Sequence, residues 1–460
     1  MVSVGRHPNI ELMTYSQVES VSGYIGNFDV RVRKKARYVN EDLCTGCGTC
    51  VEKCPWKKIP SEFELGLGNR PAIYFHFAQA VPRVPVIDTE HCAYFERGKC
   101  RACEKFCTKN AIDFEQKDEI LNLEVGTIIL ATGFHDFDPS ESPQYGYGLF
   151  ENVLTGLEFE RLVNSGGPTT GKVTLKNGQI PRRIAIIHCV GSRGDHHEYC
   201  SRVCCMYSLK LAHLARDVIG AEVVEFYRDM RTFGKAYESF YERVKHEDVH
   251  FVRFENLNGA GDFPLKIIQK DKQLAISSID VYTGEMLEEV VDMVILSTGM
   301  EPQPDHKNVA KIFGISLSPD GFFLESHPKL APVETTTGGV FLAGTCQGPK
   351  DIPDSVAQGG AAAAAALSLM DVGHVTMEPF TAYIDPELCS GCQTCVNLCP
   401  YSAVHVIDYN GRIVSEVNEV LCKGCGTCVA ACPSGIAQQR GFEHQQIMAE
   451  IEGVLSFVMA

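Results

Sequence analysis

The sequence predicts an α/β core that carries one small cysteine-rich α+β module as an insertion and a second module near the C-terminus. Two observations support this prediction. Three apolar runs, each ending in small residues, are typical of strands buried in a parallel sheet. Twenty of the 21 cysteines fall into five groups of four. The 460 residues are enough for about three domains of roughly 150 residues each.

Charge and hydropathy narrow the class of protein. The net charge of −16 argues against a nucleic-acid partner. No run approaches the roughly 18 consecutive apolar residues of a membrane span, and the start "MVSVGRHPNIEL" lacks the apolar core of a signal peptide. Many cysteines are two or three residues apart, which suits metal ligation better than disulfides. We therefore expect a reducing, cytoplasmic location.

Three cysteine groups follow the bacterial ferredoxin pattern C-x2-C-x2-C-x3-C-P. The matching segments are "CTGCGTCVEKCP", "CSGCQTCVNLCP" and "CKGCGTCVAACP". In this pattern three thiolates of a short loop bind one [4Fe–4S] cluster, and the fourth cysteine binds the neighbouring cluster. The residues concerned are Cys44, Cys47, Cys50, Cys54, Cys389, Cys392, Cys395, Cys399, Cys422, Cys425, Cys428 and Cys432.

The crossing rule predicts how the C-terminal thiols are shared. We expect one cluster on Cys389, Cys392, Cys395 and Cys432. The second cluster then takes Cys422, Cys425, Cys428 and Cys399. A chance match, or zinc, is the alternative.

The partner of the first motif is less regular. The segment "HCAYFERGKCRACEKFCTKNAI" supplies Cys92, Cys100, Cys103 and Cys107, with a stretched first gap and Thr108 in place of the usual proline. By the crossing rule, one cluster takes Cys44, Cys47, Cys50 and Cys107, and the other takes Cys92, Cys100, Cys103 and Cys54. Zinc in this second half is the alternative.

The apolar runs between the modules end in residue pairs that allow close approach. "VGTIILATGF" ends near Thr132–Gly133, and "VDMVILSTGMEP" ends near Thr298–Gly299. The third run continues into Gly344 and then into a helix that starts near Ile352 or Ser355. This order is the layout of flavoproteins with two dinucleotide-type domains, in which the last helix N-terminus faces the flavin pyrophosphate. Buried strands with no cofactor are the alternative.

At this point the sequence resembles the A subunit of heterodisulfide reductase. The resemblance covers essentially the whole chain and is carried by "CVGSR…YCSRVCCMYSLKLA", "RDMRTFGKAYESFY", "AGTCQGPKDIPDSVAQGGAAAAAA" and the two ferredoxin modules. It implies a thioredoxin-reductase-like core with two dinucleotide-type domains, one inserted and one C-terminal ferredoxin domain with two [4Fe–4S] clusters each, and an FAD that splits electron pairs. It also implies B- and C-like partner subunits, ferredoxin, and an electron donor linked to a hydrogenase or formate dehydrogenase.

The sequence departs from that family in one respect. The family carries a G-x-G-x-x-G strand and a further iron–sulfur domain that have no counterpart here, so the chain resembles a member without its first third. We expect a separate chain to supply the missing half of the FAD domain. The expected division is a partial FAD domain 1–38, an inserted ferredoxin domain 39–116, FAD-domain segments 117–140 and 301–372, a nicotinamide-domain-like region 141–300, a C-terminal ferredoxin domain 373–438 and a terminal helix or tail 439–460.

The region 141–300 contains the fifth cysteine group. "IAIIHCVGSRGDHHEYCSRVCC" begins like a nucleotide-binding strand, yet it lacks G-x-G-x-x-G, so nicotinamide binding is not expected. Cys189, Cys200, Cys204 and Cys205 can instead enclose a fifth [4Fe–4S] cluster, which the positive end of a helix would favour. A redox-active dithiol, or structural cysteines, is the alternative.

Several residues are predicted to lie near the flavin. Lys210 is the first candidate for a cation beside the flavin ring, with Lys350 as the second, and Glu158 as a carboxylate that could pair with such a lysine. The predicted cofactor contacts are Thr132, Gly133, Thr298, Gly299, Gly344, Thr345, Lys350, Asp351, Ile352, Gln358 and Gly359.

Two functions fit these features. In the first, the chain is a redox enzyme subunit in which FAD lies between five [4Fe–4S] clusters. In the second, it is a non-catalytic wiring and docking subunit whose flavin is held mainly by another polypeptide, in a complex that reduces a different acceptor.

Overall fold

The computed structural model describes residues 2–194, 197–254, 265–271, 273–374 and 379–458. Its centre is a five-stranded, fully parallel sheet, called the central sheet below. In spatial order its strands are Val153–Thr155, Met293–Thr298, Arg183–Val190, Glu222–Tyr227 and Val249–Arg253.

Both faces of the central sheet are covered, which explains its long apolar runs. Along the strand Arg183–Val190, Ile184 and Ile186 enter the core under the helices, while Ala185 and Ile187 enter the core on the other face. The helices are Gly156–Val163, Cys204–Leu214 (continued by a π turn, Ala215–Ile219) and Tyr237–Lys245. The opposite face carries an antiparallel sheet of Lys266–Lys270, Gln273–Ile279 and Met286–Val291.

A second body of the core is built from segments far apart in the chain. An antiparallel sheet contains Ser16–Tyr24, Asn27–Lys34 and Glu119–Val125. Two short pairs follow: Ile128–Leu130 runs parallel to Val340–Leu342, and His135–Asp136 runs antiparallel to Met300–Glu301. The helices are Val2–Gly5, His306–Phe313 and Ile352–Val372, with 3-10 turns at Pro139–Glu141, Pro143–Tyr145 and Gly344–Gln347.

The two cysteine-rich modules are small and rich in turns. The inserted module lies between Lys34 and Glu119 and contains Thr49–Lys53, Ile59–Pro60, Asn69–Arg70, Ile73–Tyr74, Val86–Ile87, Ala93–Arg97 and Ala102–Lys105. The C-terminal module contains Ala382–Ile384, Thr394–Leu398, Val404–Tyr409, Arg412–Val417, Thr427–Ala430 and Ala437–Gln439, and the helix His444–Val458 follows it. The observed fold class, an α/β core with two ferredoxin-type modules, is therefore the one that the sequence predicts.

Each module rests on the core through specific contacts. In the inserted module, the Glu64 carboxylate accepts two hydrogen bonds of 3.0 Å from the Arg161 guanidinium, and Leu67 packs against the helix-side core. In the C-terminal module, Leu421 and Lys423 line a small cavity together with Ile25 and residues 336–338 of the second body. Among the helices that the structure describes, none has the length and apolar character that a membrane crossing needs.

Candidate iron–sulfur and flavin sites

The C-terminal module brings one cysteine of its first motif to three cysteines of its second. Cys399, Cys422, Cys425 and Cys428 line one small hollow. Burial, together with the neighbouring thiols Cys422 and Cys399, raises the pKa of Cys428 to about 11. In the other half of the module, Cys392 and Cys432 lie close enough to interact electrostatically. The crossed arrangement expected from the sequence is therefore present.

The inserted module repeats this arrangement. Cys44, Cys47, Cys50 and Cys107 line a second hollow. Burial raises the pKa of Cys103 to about 12, and the thiols of Cys92 and Cys54 contribute to that rise. The stretched motif thus still places Cys54 beside the thiols of the irregular half.

A common turn explains why all four halves hold their thiols alike. In each half a residue in the left-handed region directly precedes a short helix that carries a buried cysteine. These residues are Gly48 (φ 82°), Arg101 (φ 74°), Gln393 (φ 61°) and Gly426 (φ 74°). The irregular half lacks the glycine but keeps the turn, which supports a ferredoxin-like cluster there.

The loops also fit thiolates. The Gly391 N–H donates to the Cys389 Sγ at 3.4 Å, and the Ala403 N–H donates to the Cys399 Sγ at 3.3 Å. The equivalent bonds in the inserted module reach Cys44 and Cys107, at 3.4 and 3.3 Å. Hydrogen bonds of this kind stabilise the anionic sulfur of a cluster ligand. No three described His, Cys, Asp or Glu side chains meet closely enough to share one metal ion. The thiols of two quartets instead line the two hollows described above.

The fifth group is assembled by the central sheet. The register of Arg183–Val190 against Met293–Thr298 shifts between Ile187 and Val190, and Cys189 takes a φ of 61° in this bulge. Cys204 and Cys205 begin the helix Cys204–Leu214, whose first N–H groups have no helical partner. The N–H of Arg202 donates to the Cys200 Sγ at 3.3 Å. Electrostatic contacts join Cys189, Cys200, Cys204 and Cys205, so the structure brings the four thiols together.

One thiol of this group differs from its neighbours. Burial raises the pKa of Cys189 to about 11 and that of Cys204 well above its ordinary range. Burial would do the same to Cys205, yet the neighbouring His188 side chain brings the pKa of Cys205 below its ordinary value.

The cause is a buried pair that our sequence prediction missed. The His188 Nε2 lies 2.9 Å from a carboxylate oxygen of Glu225, and both side chains are 0% exposed. The available signals were a histidine directly before Cys189 and a glutamate inside the apolar strand Glu222–Tyr227. Burying two ionisable groups in the middle of a parallel sheet costs free energy unless the groups are paired and fully hydrogen-bonded.

The predicted flavin contacts fall into two places. The first is the loop before the helix Ile352–Val372, where the Gly344 N–H donates to the Gln358 Oε1 at 2.9 Å and the Asp351 side chain caps the helix. Thr345 and Gly359 lie in the same loop and helix, half-buried, and Ile352 is 80% exposed. On the adjoining strand end, the Gln303 amide donates to the carbonyls of Thr132 and Phe134, and Gly133 has a φ of 80°.

Thr298 and Gly299 lie beside the cysteine group instead. The Tyr207 hydroxyl donates to the Thr298 carbonyl at 2.7 Å, and the Cys204 thiol approaches the same carbonyl at 3.6 Å. A Cβ on Gly299 would lie 2.3 Å from the Ser192 Oγ. This strand end is packed against the thiols and leaves no room for a larger side chain.

The three predicted charged residues have different surroundings. The Lys350 ammonium donates to the carbonyls of Gly344 and Gly348, both at 2.8 Å, and to the Gln347 side chain at 2.9 Å. Burial lowers the pKa of Lys350 to about 8. Glu158 forms a capping box with Thr155 and accepts from the Tyr147 hydroxyl at 3.1 Å. Lys210 is exposed, and among the described residues no ion pair joins it to Glu158.

An α/β core that carries two ferredoxin-type modules defines an iron–sulfur electron-transfer protein. Family comparisons agree with that class. The 4Fe-4S dicluster domain matches residues 382–437, and the 4Fe-4S binding domain matches residues 37–57.

Curated relatives identify the family. The iron-sulfur A subunit of the CoB--CoM heterodisulfide reductase of Methanocaldococcus jannaschii is 48% identical over 99% of this chain and 68% of its own length. The A subunit of the H(2):CoB-CoM heterodisulfide,ferredoxin reductase of Methanothermobacter thermautotrophicus is 47% identical over 99% of this chain and 67% of its own length. The chain belongs to the family of heterodisulfide reductase A subunits and is therefore part of an oxidoreductase, as its motifs predict.

Solved structures give a weaker likeness. The thioredoxin reductase of T. acidophilum matches with a TM-score of 0.36 and 15% identity, over 55% of this chain and 69% of that one. The Lactococcus lactis thioredoxin reductase matches with a TM-score of 0.35 and 15% identity, over 65% of this chain and 86% of that one.

Proposed function

We propose that this chain is the flavin and iron–sulfur subunit of an electron-bifurcating complex of the heterodisulfide reductase type. It carries five [4Fe–4S] clusters and FAD, and it passes electrons between a donor, ferredoxin and a disulfide-reducing partner subunit. The single observation that carries the proposal is the grouping of twenty thiols into five quartets, four in two modules and one in the core between them.

The contacts of the C-terminal module support an order along its two quartets. Lys423 and Tyr401 help to line the cavity against the second body, and both also line the hollow of Cys399, Cys422, Cys425 and Cys428. The quartet of Cys389, Cys392, Cys395 and Cys432 is then the outer one. Electrons would pass from the core to the inner cluster first and leave by the outer cluster.

The chemistry is divided between cofactors and chain. Clusters exchange single electrons, and a flavin exchanges pairs that it can release one at a time. The chain contributes the thiolates, the N–H donors that stabilise them, and the loop 344–351 with its helix N-terminus toward an anionic cofactor. In this scheme Lys210, exposed on the helix that begins at Cys204, is the cation beside the flavin, and Glu158 is its partner once flavin is bound.

The proposed partners are B- and C-like subunits, ferredoxin and an electron-donating subunit linked to a hydrogenase or formate dehydrogenase. The names of the relatives include H(2), ferredoxin and the CoB-CoM heterodisulfide, which supports ferredoxin and a hydrogenase-linked donor among these partners. The helix His444–Val458 supports a docking role for the C-terminal end of the described chain, because its apolar side chains are exposed and recur at helical spacing. These residues are Ile447, Met448, Ile451, Val454 and Leu455.

One observation favours the second candidate, a wiring subunit whose flavin is held by another polypeptide. Within the described residues, Ile128–Leu130 pairs only with Val340–Leu342, and two-stranded parallel sheets are rarely left open. The helix Ile352–Val372 also exposes an apolar stripe that contains Ile352, Val356, Leu367 and Met370. A separate chain that adds parallel strands here would complete both the sheet and the FAD site.

Metal and flavin analysis of the purified chain tests the proposal. We expect about twenty iron per chain (about four per cluster) and about one acid-extractable flavin. About twenty iron without flavin would favour the wiring subunit. Eight to sixteen iron would overturn the assignment of five clusters.

A further inference from the structure

The buried pair of His188 and Glu225 lies inside the central sheet, next to the fifth quartet. His188 belongs to the bulge that also aims Cys189, and bulges are rare in parallel sheets. Glu225 lies on the adjacent strand Glu222–Tyr227 and faces the His188 Nε2. Both side chains are 0% exposed, so the pair can affect only the residues packed around it.

Two atoms of this pair have no partner in the described structure. The His188 Nδ1 and the Glu225 Oε1 are buried and make no hydrogen bond there. An unpaired buried nitrogen is costly, because it has lost its hydrogen bonds to water and gained none in return. A nitrogen that stays unpaired in an otherwise closed core indicates a ligand that completes it.

Cys205 is the neighbour that can supply this ligand. In the thiol form, Cys205 donates its S–H to the Asp229 carbonyl at 3.6 Å. As a cluster-bound thiolate, Cys205 can only accept. With the Glu225 carboxylate on its Nε2–H, the adjacent His188 ring is an imidazolium that offers its Nδ1–H to the sulfur. The Cys204 thiol instead meets the Thr298 carbonyl and the Tyr207 side chain.

The geometry points to His188 as a positioning residue that is oriented by Glu225 and donates a hydrogen bond to the Cys205 sulfur of the fifth cluster. The inference rests on the proposed function, because it needs a cluster at Cys189, Cys200, Cys204 and Cys205. A hydrogen bond to a ligand sulfur withdraws negative charge and stabilises the electron that the cluster accepts. His188 would therefore raise the reduction potential of this cluster and make it a better acceptor of flavin electrons.

The test is an anaerobic redox titration of the full chain, followed by electron paramagnetic resonance, with iron counted in every sample. His188→Leu alone leaves the Glu225 carboxylate unpaired, so the double variant His188→Leu/Glu225→Met is used to replace both polar partners with apolar ones. We expect full iron content. The reduction of one cluster should become about tenfold less favourable, which lowers its reduction potential by about 59 mV for one electron. His188→Asn/Glu225→Met, which keeps an N–H close to the Nδ1 position, should recover most of the lost reduction potential.

The matched control is His213→Gln. His213 also pairs with a glutamate, Glu247 at 2.7 Å, and lies on the helix that begins at Cys204, but it is partly exposed and lies about two turns from the thiols. Its substitution should leave all potentials unchanged. Unchanged potentials in His188→Leu/Glu225→Met with full iron content would overturn the inference, as would equal iron loss in both double variants. A wild-type chain without the fifth cluster would instead overturn the proposed function, since its iron count would fall to about sixteen.

Discussion

The quartets of the two modules and the quartet beside the central sheet each contain four thiols, but the thiols lie in different settings. In each half of a module, a left-handed residue and a short helix set most of the geometry, and one thiol is exposed (Cys47, Cys100, Cys392 and Cys425). In the central domain, no thiol of the quartet is exposed, and Cys204 and Cys205 are buried. Their geometry comes from a strand bulge, a loop and a helix start that only the folded sheet brings together.

This difference teaches how a cluster site can be encoded. A module site is local, because three of its ligands lie within seven residues of chain, or twelve in the irregular half, and only the fourth comes from the other half. The central site depends on the sheet, and its surroundings include an ionisable pair that is 0% exposed, whereas the Arg70–Asp88 pair of the inserted module is 9% and 12% exposed. A site within a large core can be tuned by its neighbours, whereas a module site is dominated by its own loop.

The largest expected effect tests the crossed sharing of ligands in the C-terminal module. Cys399→Ala/Cys425→Ala changes two ligands of one cluster and should remove about four iron per chain. Cys399→Ala/Cys392→Ala changes ligands of two clusters and should remove about eight. Uncrossed sharing predicts the reverse order, so iron counts on the two purified variants decide between the arrangements.

The next effect concerns the central quartet. Cys204→Ala should remove about four iron per chain, because Cys204 is a ligand of the fifth cluster. The matched control is Cys346→Ala: Cys346 is equally buried, donates to the Leu130 carbonyl at 3.3 Å and lies in no quartet. Full iron content in the Cys204→Ala variant would contradict the assignment of a fifth cluster to the central quartet.

A third prediction tests how strongly a module site depends on its loop. Gly391 has a φ of 70°, and a Cβ there would lie 2.3 Å from the Ile413 carbonyl oxygen. Gly391→Ala should therefore destabilise the C-terminal module by about 2 kcal/mol or more, with faster hydrogen exchange in 382–439 and normal exchange in the central sheet.

The control for that variant is Gly359→Ala. Gly359 lies in the helix Ile352–Val372, and a Cβ there meets nothing within 4 Å. The alanine should leave the module unchanged and stabilise the helix by up to about 1 kcal/mol. Equal exchange rates in the two variants would contradict the local character of the module site.

The smallest effect separates the two lysines proposed for the flavin site. Lys350→Met leaves three partly buried oxygens without their donor and should lower the local stability of 344–351 by about 2 kcal/mol, measured by hydrogen exchange. Lys210→Met removes an exposed cation and should change that stability by less than about 0.5 kcal/mol. A large effect of Lys210→Met would assign it a structural role that its exposure does not suggest.

Lys350 also gives a signed pH dependence. Burial lowers its pKa in the folded chain to about 8, below its ordinary value of about 10.4. Between these values the unfolded chain binds more protons, so the contribution of Lys350 to stability should increase as the pH rises from about 8 to about 10.4. The Lys350→Met variant should lack this increase.

The four module quartets could be predicted from sequence because their ligands are close together in the chain. The C-x2-C spacing sets the loop, and a residue such as Gly48 or Gly426 sets the turn before the helix. Even the stretched half was assignable, since Cys100 and Cys103 keep the same spacing. The central sheet was also readable, because strands buried on both faces are continuously apolar.

The flavin-site charges were harder to predict. Lys350 was a candidate cation, yet its ammonium is used by the oxygens of its own loop. Glu158 stays a predicted partner of Lys210, and in the described structure its carboxylate also completes a capping box with Thr155. A T-x-x-E spacing at 155–158 was present in the sequence and could have indicated that structural role.

The sequence by itself determined the chemistry of this protein: the family, the α/β class, and which thiols belong together. Those features follow from local spacing and from strand periodicity, which operate over a few residues. Only the tertiary structure decided where charges are buried. It placed His188 against Glu225, which are 37 residues apart in the chain, and set both beside Cys205. Burial and hydrogen bonding depend on which strands become neighbours, and that is settled when the whole sheet packs.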